Sequence, residues 1–253
     1  MDRLLEGKVV IVTGAARGIG ADICRVLGSQ GCSVVVNYAT SSKEANEVVA
    51  ELKESGVPAI ACQADVRNLT EVEEMVAKTL AEFGRIDGLV NNAISGRQHG
   101  SLDEVTDQDF RDMFDFGAIA VVNTIRAVRP AMKVQGGGRV VNVVTEIWNM
   151  GPGSWSTYLG GKGAMVGISR SLANELGPEG ITVNMVAPGW MVTEKVDPTS
   201  EGSIGFGNSL PLRRHGSAKE IGNACAFFIS DLAGYVTGAY LPVTGGRVTQ
   251  VGV

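Results

Sequence analysis

Tyr158 and Lys162 stand four residues apart in STYLGGKGAMVGIS, Ser156 to Ser169, a stretch that reads as one helix. Residues at that spacing share a helix face, so the phenol and the ammonium project the same way. A cation beside a phenol favours phenolate and is expected to pull Tyr158 below its ordinary value near ~10. Such a tyrosine would serve as a proton donor near neutral pH. The same pair occurs on many solvated helices, so chemistry requires partners. Thr145, which closes the run VVNVVT, supplies one: a hydroxyl at the carboxyl end of a strand, where open α/β folds bind ligands. The helix also carries glycine at 160, 161, 163 and 167. Each costs roughly 0.5 to 1 kcal/mol against alanine, so something must approach closely there.

A second chemical signal is VTGAARGIGADICRVL, where Gly14, Gly18 and Gly20 lie between the first apolar run and the first helical stretch. Backbone amides at a helix N-terminus make a diphosphate site. The spacing is G-x-x-x-G-x-G rather than G-x-G-x-x-G, and its place after the first strand is what marks it as a dinucleotide turn. At the end of the second run, VVVNYATSS puts Asn37, Tyr38 and Ala39 with no acid. A carboxylate there would repel the 2′-phosphate of NADP, whereas a neutral rim beside Arg17 accepts it. Arg17 and Asn37 are therefore expected to favour NADP(H) over NAD(H).

Positioning these groups requires alternating elements. The β-branched runs at 8–13, 33–37, 58–63, 88–92, 138–144, 181–186 and 239–244 are separated by stretches with apolar residues at three- and four-residue steps, such as Val72, Met75, Val76 and Leu80. Short, continuous apolar strands alternating with helices imply a parallel sheet covered on both faces. Asn68 or Thr70, and Thr106 or Asp107, are placed to cap helices, and Gly56, Gly84 and Gly177 to end them. With 253 residues and no linker, one domain over 1–253 is expected. The Gly- and Pro-rich segment 190–216 is expected to be a long, partly mobile lid.

Composition removes other classes. A net charge of −5 without a basic tract argues against nucleic acid and anionic membrane as partners. No apolar run reaches the length of a membrane helix or a signal peptide, which leads to a cytoplasmic expectation. Cys24, Cys32, Cys62 and Cys225 form no Cys-x-x-Cys pair and have only His99 and His215 beside them, so no metal site is expected and the thiols read as reduced and mostly buried.

Taken in order, T-G-x-x-x-G-I-G (Thr13 to Gly20), N-N-A (Asn91 to Ala93), Y-x-x-x-K (Tyr158 to Lys162) and N-x-V-x-P-G (Asn184 to Gly189) resemble the short-chain dehydrogenase/reductase family over essentially the whole chain. The resemblance implies a doubly wound Rossmann-type domain with a mostly parallel seven-stranded sheet and a nicotinamide dinucleotide above the strand ends. It implies that Tyr158 protonates a substrate carbonyl oxygen, that Lys162 holds the nicotinamide ribose and tunes Tyr158, and that Thr145 binds the carbonyl. Gly14, Arg17, Gly18, Ile19 and Gly20 would face the phosphates and adenosine ribose, with Asp65, Val66, Asn92 and Ala93 on the adenosine side. Pro188, Gly189, Met191 and Thr193 would fix the carboxamide. Family members also assemble, which implies a homotetramer or homodimer through the helices carrying Gly117 and Tyr158.

Three positions depart from the family pattern. Thr145 replaces serine, adding a methyl that stiffens the side chain. Gly117 stands where an asparagine helps bind a relay water, or else simply relieves crowding between helices. Ile94 replaces the glycine of NNAG. In character the chain is closest to 3-oxoacyl-carrier-protein reductases, but Gly136 to Gly138 and Glu179 lie where that group has basic residues. The expected substrate is therefore a small free carbonyl compound, apolar or aromatic given Trp148, Trp155, Trp190 and Phe206. The alternatives are a 3-oxoacyl-carrier-protein or 3-oxoacyl-CoA reductase and a non-catalytic NADP(H)-binding sensor or partner subunit. Glu146 is expected on the surface or behind the site, because neighbours on a strand face opposite ways.

Overall fold

A computed structural model of the chain describes residues 3–96, 99–194 and 196–247. Every apolar run singled out in the sequence becomes a strand of one sheet: β1 (Val9–Val12), β2 (Ser33–Tyr38), β3 (Ala59–Gln63), β4 (Gly88–Asn91), β5 (Gly138–Val143), β6 (Ile181–Pro188) and β9 (Tyr240–Val243). Two short strands, β7 (Met191–Val192) and β8 (Gly216–Ser217), pair only with each other. The large sheet is seven-stranded and parallel, in the order β3-β2-β1-β4-β5-β6-β9. The winding reverses between β1 and β4, which opens a crevice at the carboxyl ends of the strands.

The intervening helices are α1 (Gly18–Ser29), α2 (Ser42–Glu54), α3 (Leu69–Phe83), α4 (Asp107–Phe114), α5 (Ala120–Val134), α6 (Ser156–Leu176), α7 (Glu201–Ser209) and α8 (Ala218–Ile229). α1, α2 and α8 cover one face of the sheet, and α3, α5 and α6 the other. Alternate strand residues feed opposite cores: Val10, Val12, Val34 and Val36 go to the first, Ile11, Val35 and Leu89 to the second. Both faces are buried, so the strands are continuously apolar.

The caps follow the sequence in part. The Asn68 side chain accepts from Thr70 N, Thr106 and Asp109 form a reciprocal capping box, and Gly84 ends α3 with φ 75°. Gly177 does not play that role: α6 runs on into a tight turn, and the left-handed residue is Gly180. Segment 190–216, expected as a long lid, carries β7, α7 and the first residue of β8. All four cysteines are free and buried, and burial pushes the Cys32 and Cys225 thiols up to about 12. No helix among the described residues is long and apolar enough to cross a membrane.

Two features fix α6, the helix that carries Tyr158 and Lys162. α4 and α5 are joined by a wider helical turn, Asp115–Ile119, whose Gly117 lies directly on Gly161. A Cβ at Gly117 would collide with the Gly161 carbonyl, and one at Gly161 with the Met113 carbonyl. Gly163 likewise leaves room for the Trp148 indole, 2.7 Å from where a Cβ would stand. Gly160 and Gly167 face open space, so close approach accounts for two of the four glycines within this chain. The second feature is a buried chain of hydrogen bonds. Thr124 Oγ1 donates to Asn91 Oδ1, Asn91 Nδ2 to Asn142 Oδ1, Asn142 Nδ2 to Ser169 Oγ, and Ser169 Oγ to the Met165 carbonyl. It ties α5, β4, β5 and α6 together, and each buried polar group in it is satisfied.

Candidate active site

Two residues beyond β5, Thr145 holds extended backbone and starts a single turn over Glu146–Asn149. Its carbonyl accepts from the Tyr240 hydroxyl at 2.8 Å, and Asn149 Nδ2 donates to that hydroxyl at 3.2 Å. So anchored, the Thr145 hydroxyl shares a hydrogen bond with the Tyr158 hydroxyl. Behind them Lys162 is buried, with its Nζ donating to the Val143 carbonyl at 2.6 Å and lying 5.9 Å from the centre of the Tyr158 ring. Tyr158, Lys162 and Thr145 therefore converge at the carboxyl edge of the sheet.

The electrostatics differ from the expectation built on spacing. Burial raises the Tyr158 hydroxyl above its ordinary value, with only the Thr145 hydrogen bond opposing, and burial pushes Lys162 down to about 8. The ammonium does not make Tyr158 acidic here because it is turned to the Val143 carbonyl, while both groups lose water. Tyr158 is thus held protonated, as a donor.

The glycine turn lies across the crevice. Gly14 has φ 61°, which favours glycine, and a Cβ on it would come within 2.7 Å of Ala93 Cα. Asn92 Nδ2 donates to the carbonyls of Thr13 and Gly14, while Thr13 Oγ1 accepts from the amides of Asn92 and Ala93. These bonds bind the ends of β1 and β4 together at the reversal. Gly20 packs onto Asn92, 2.6 Å from Nδ2 were it to carry a Cβ. Gly18, in contrast, is open apart from the Glu194 carboxylate, Arg17 is exposed beside it, and α1 has no acid in its first turn. Ile19 is partly buried against the core below. An open cleft of about 410 Å³ runs from Arg17 and Gly18 to Thr193 and Glu194. The cleft also carries Asp22, Glu44, Glu47, Glu51 and Glu194, so its fit to a diphosphate rests on the helix start, with its open amides, and on Arg17.

Several expected contacts are reassigned. Asn37 does not face the rim. It is buried, its Oδ1 accepts from the Gly14 amide at 3.2 Å, and its Nδ2 donates to the carbonyls of Cys62 and Ala64. It props the glycine turn instead, because a buried amide must use its donors and acceptor locally. The Val66 side chain enters the core under α3, and that of Met191 the core under α8, so neither side chain lines the crevice. Asp65 is engaged by Arg67, which holds its carboxyl below the usual range. Pro188 ends β6 beside Val243, and the Gly189 amide donates to the Val243 carbonyl.

Other groups were not legible as a site. Glu146, expected on the surface or behind the site, is 2% exposed and so lies behind it; Oε1 meets Arg247 Nη1 at 3.4 Å and Oε2 has no hydrogen-bond partner. His99 lies 5.4 Å from Trp155, whose ring meets the Tyr158 edge at 5.7 Å. Trp190, Phe206 and His215 form a three-ring cluster with centroids 4.9 to 5.1 Å apart. The aromatic types were visible in the sequence, but their pairing across distant loops has no local signal. Ile94 and Gly117 line a slot against Tyr158 and Lys162 that is too narrow for a water molecule.

Comparison with known proteins follows this geometry. A family model described as enoyl-(acyl carrier protein) reductase matches residues 14–247. An uncharacterized oxidoreductase of Methylorubrum extorquens is 39% identical over 96% of this chain and 98% of its own. A 3-oxoacyl-(acyl-carrier-protein) reductase of Staphylococcus epidermidis is 38% identical over 94% and 98%. A short-chain dehydrogenase of Burkholderia cenocepacia, crystallised with NADP, superposes with a TM-score of 0.88 at 33% identity, covering 96% and 98% of the two chains.

Proposed function

Because the chain belongs to the short-chain dehydrogenase/reductase family of oxidoreductases, we propose that it reduces the carbonyl of a small apolar or aromatic compound with NADPH. The observation that carries this reading is the hydroxyl pair Thr145–Tyr158 with Lys162 buried behind it, facing the glycine turn across one crevice. The NADP complex of the Burkholderia relative supports the cofactor. With Asn37 turned inward, the 2′-phosphate would be met by Arg17 and by the hydroxyls of Thr40 and Ser41 at the start of α2, where no acid stands between Tyr38 and Ser42. Asp65, Asn92 and Ala93 would border the adenosine, and the backbone of Pro188 to Thr193 the carboxamide.

When bound, NADPH supplies the hydride. The chain's own groups do the rest. The Tyr158 and Thr145 hydroxyls lie within hydrogen-bond reach of each other, so a carbonyl oxygen placed against the pair would be polarised by both, and the Tyr158 Oη would pass its proton to that oxygen. Lys162, held by the Val143 carbonyl, would bind the nicotinamide ribose, the role that the family resemblance gives it.

Substrate choice is read from the surroundings. Trp155 and His99 wall the Tyr158 side with flat rings. Arg129 and Lys133, on the helix before β5, are tied to Glu179 at 2.7 and 2.9 Å, which leaves little positive surface for an acidic carrier protein. The Staphylococcus relative favours the second reading, a 3-oxoacyl reductase. Retention of the Thr145–Tyr158 bond opposes a role as a non-catalytic sensor. Initial rates with NADPH and NADH against acetophenone, acetoacetyl-CoA and acetoacetyl carrier protein separate these. The proposal expects NADPH to be preferred and acetophenone to be turned over; turnover of the carrier-linked substrate alone would favour the second reading, and none at all the sensor.

A further inference from the structure

Glu146 is the most deeply buried carboxylate among the described residues, and the mechanism above does not use it. It follows Thr145 directly, is 2% exposed, and has one carboxylate oxygen without a partner. Such a group is costly, and an apolar side chain of similar volume would be tolerated as well or better. Its other oxygen faces two things. One is Arg247 Nη1 at 3.4 Å; the other is the space beside Gly189, where a side chain would stand 3.3 Å from Oε1, so only glycine leaves that room. The Arg247 guanidinium in turn stands over the Phe206 ring of α7 at 5.4 Å, within the range of a cation–π contact. Phe206 packs on Trp190, the residue after Gly189, and on His215, whose ring nitrogens bridge the Trp190 carbonyl and Ser203 in the first turn of α7. The contacts run from the residue beside Thr145, through Arg247 and α7, to Trp190, which follows the Pro188–Gly189 bend.

We propose that Glu146 and Arg247 form a clasp that holds helix α7 against the carboxyl edge of the sheet, which makes both of them positioning residues for substrate binding. The carboxylate anchors the guanidinium, and the guanidinium pins Phe206. Arg247 is 36% exposed on its side chain, so the pair opens toward solvent at one end only. Burial raises the Glu146 carboxyl, with Arg247 opposing. Kinetically, the clasp rests on the reductase reading; structurally it does not.

The test is therefore made first on the protein alone. Amide hydrogen exchange across Glu201–Ser209 is compared in wild type, Glu146→Met, Glu146→Gln, Arg247→Met and the double variant Glu146→Met/Arg247→Met. The clasp predicts that exchange in α7 speeds up about tenfold in each single variant, that the double variant is no faster than the singles, and that α6 is unchanged. Glu146→Met is also expected to melt no lower than wild type, which a merely structural carboxylate would not allow. With acetophenone and NADPH, KM should rise at least about fivefold and kcat much less. Unchanged α7 exchange in the single variants, or strictly additive effects in the double, would overturn the clasp. Altered exchange without any turnover of acetophenone would leave the clasp standing and count against the reductase reading.

Discussion

At the scale of the residue, Lys162 has the sharpest consequence. Its folded value of about 8 lies below the unfolded 10.5, so below about pH 8 both states carry the proton and the fold bears the cost of a buried charge. Between those values the folded lysine is neutral while the unfolded one is still charged, so stability rises with pH. Lys162→Met is expected to abolish that rise, as read from urea midpoints below pH 8 and near pH 10. Activity should move the other way: Tyr158 stays protonated, so loss of the Lys162 charge should give kcat/KM an alkaline limb near pH 8. Asn37→Ala removes three hydrogen bonds, one to the glycine turn at Gly14 and two to the carbonyls of Cys62 and Ala64, and should lower stability by about 2 kcal/mol while weakening NADPH binding measured by titration. The identities of Tyr158, Lys162 and Thr145 were legible because spacing and strand position carry them. The direction of the Tyr158 shift was not, because burial is a property of the folded chain. Asn37 misled for the same reason: its type reads as a polar rim, and only packing shows it turned inward.

At the scale of the element, the contact between Gly117 and Gly161 sets how closely the bent helix α4–α5 approaches α6. Gly117→Asn would place the family's residue at that position, yet its Cβ meets backbone that cannot yield, so it should cost about 1 to 3 kcal/mol and displace Tyr158 and Lys162. Denaturant midpoints and reduction rates should both fall. Gly160→Ala and Gly167→Ala, which meet open space in the chain, should each gain roughly 0.5 to 1 kcal/mol unless a second subunit packs there. The strands were legible to within a residue or two because both faces are apolar. The wider turn at 115–119, the helix α7 and the end of α6 at Gly180 were not, since each depends on what packs against it.

At the scale of the whole molecule, the sequence order of strands and helices was enough to expect a ligand above the carboxyl ends of a parallel sheet, but not to show where the winding reverses or which surfaces remain bare. Val121, Ile125 and Met165 are buried within the chain, whereas Phe114 and Ile119 on the α4–α5 bend remain 51% and 43% exposed. These, with the open glycines of α6, are the surface through which we expect a homotetramer or homodimer to form. Light scattering should show an oligomer that Ile119→Asp reduces in mass. The central claim, that Tyr158 is the proton donor of an NADPH-dependent reductase, is tested most directly by NADPH oxidation in the presence of acetophenone by wild type and Tyr158→Phe. The account predicts steady turnover by the wild type and a loss of at least about a hundredfold in the variant, with NADPH binding retained. Equal rates in the two proteins would contradict it.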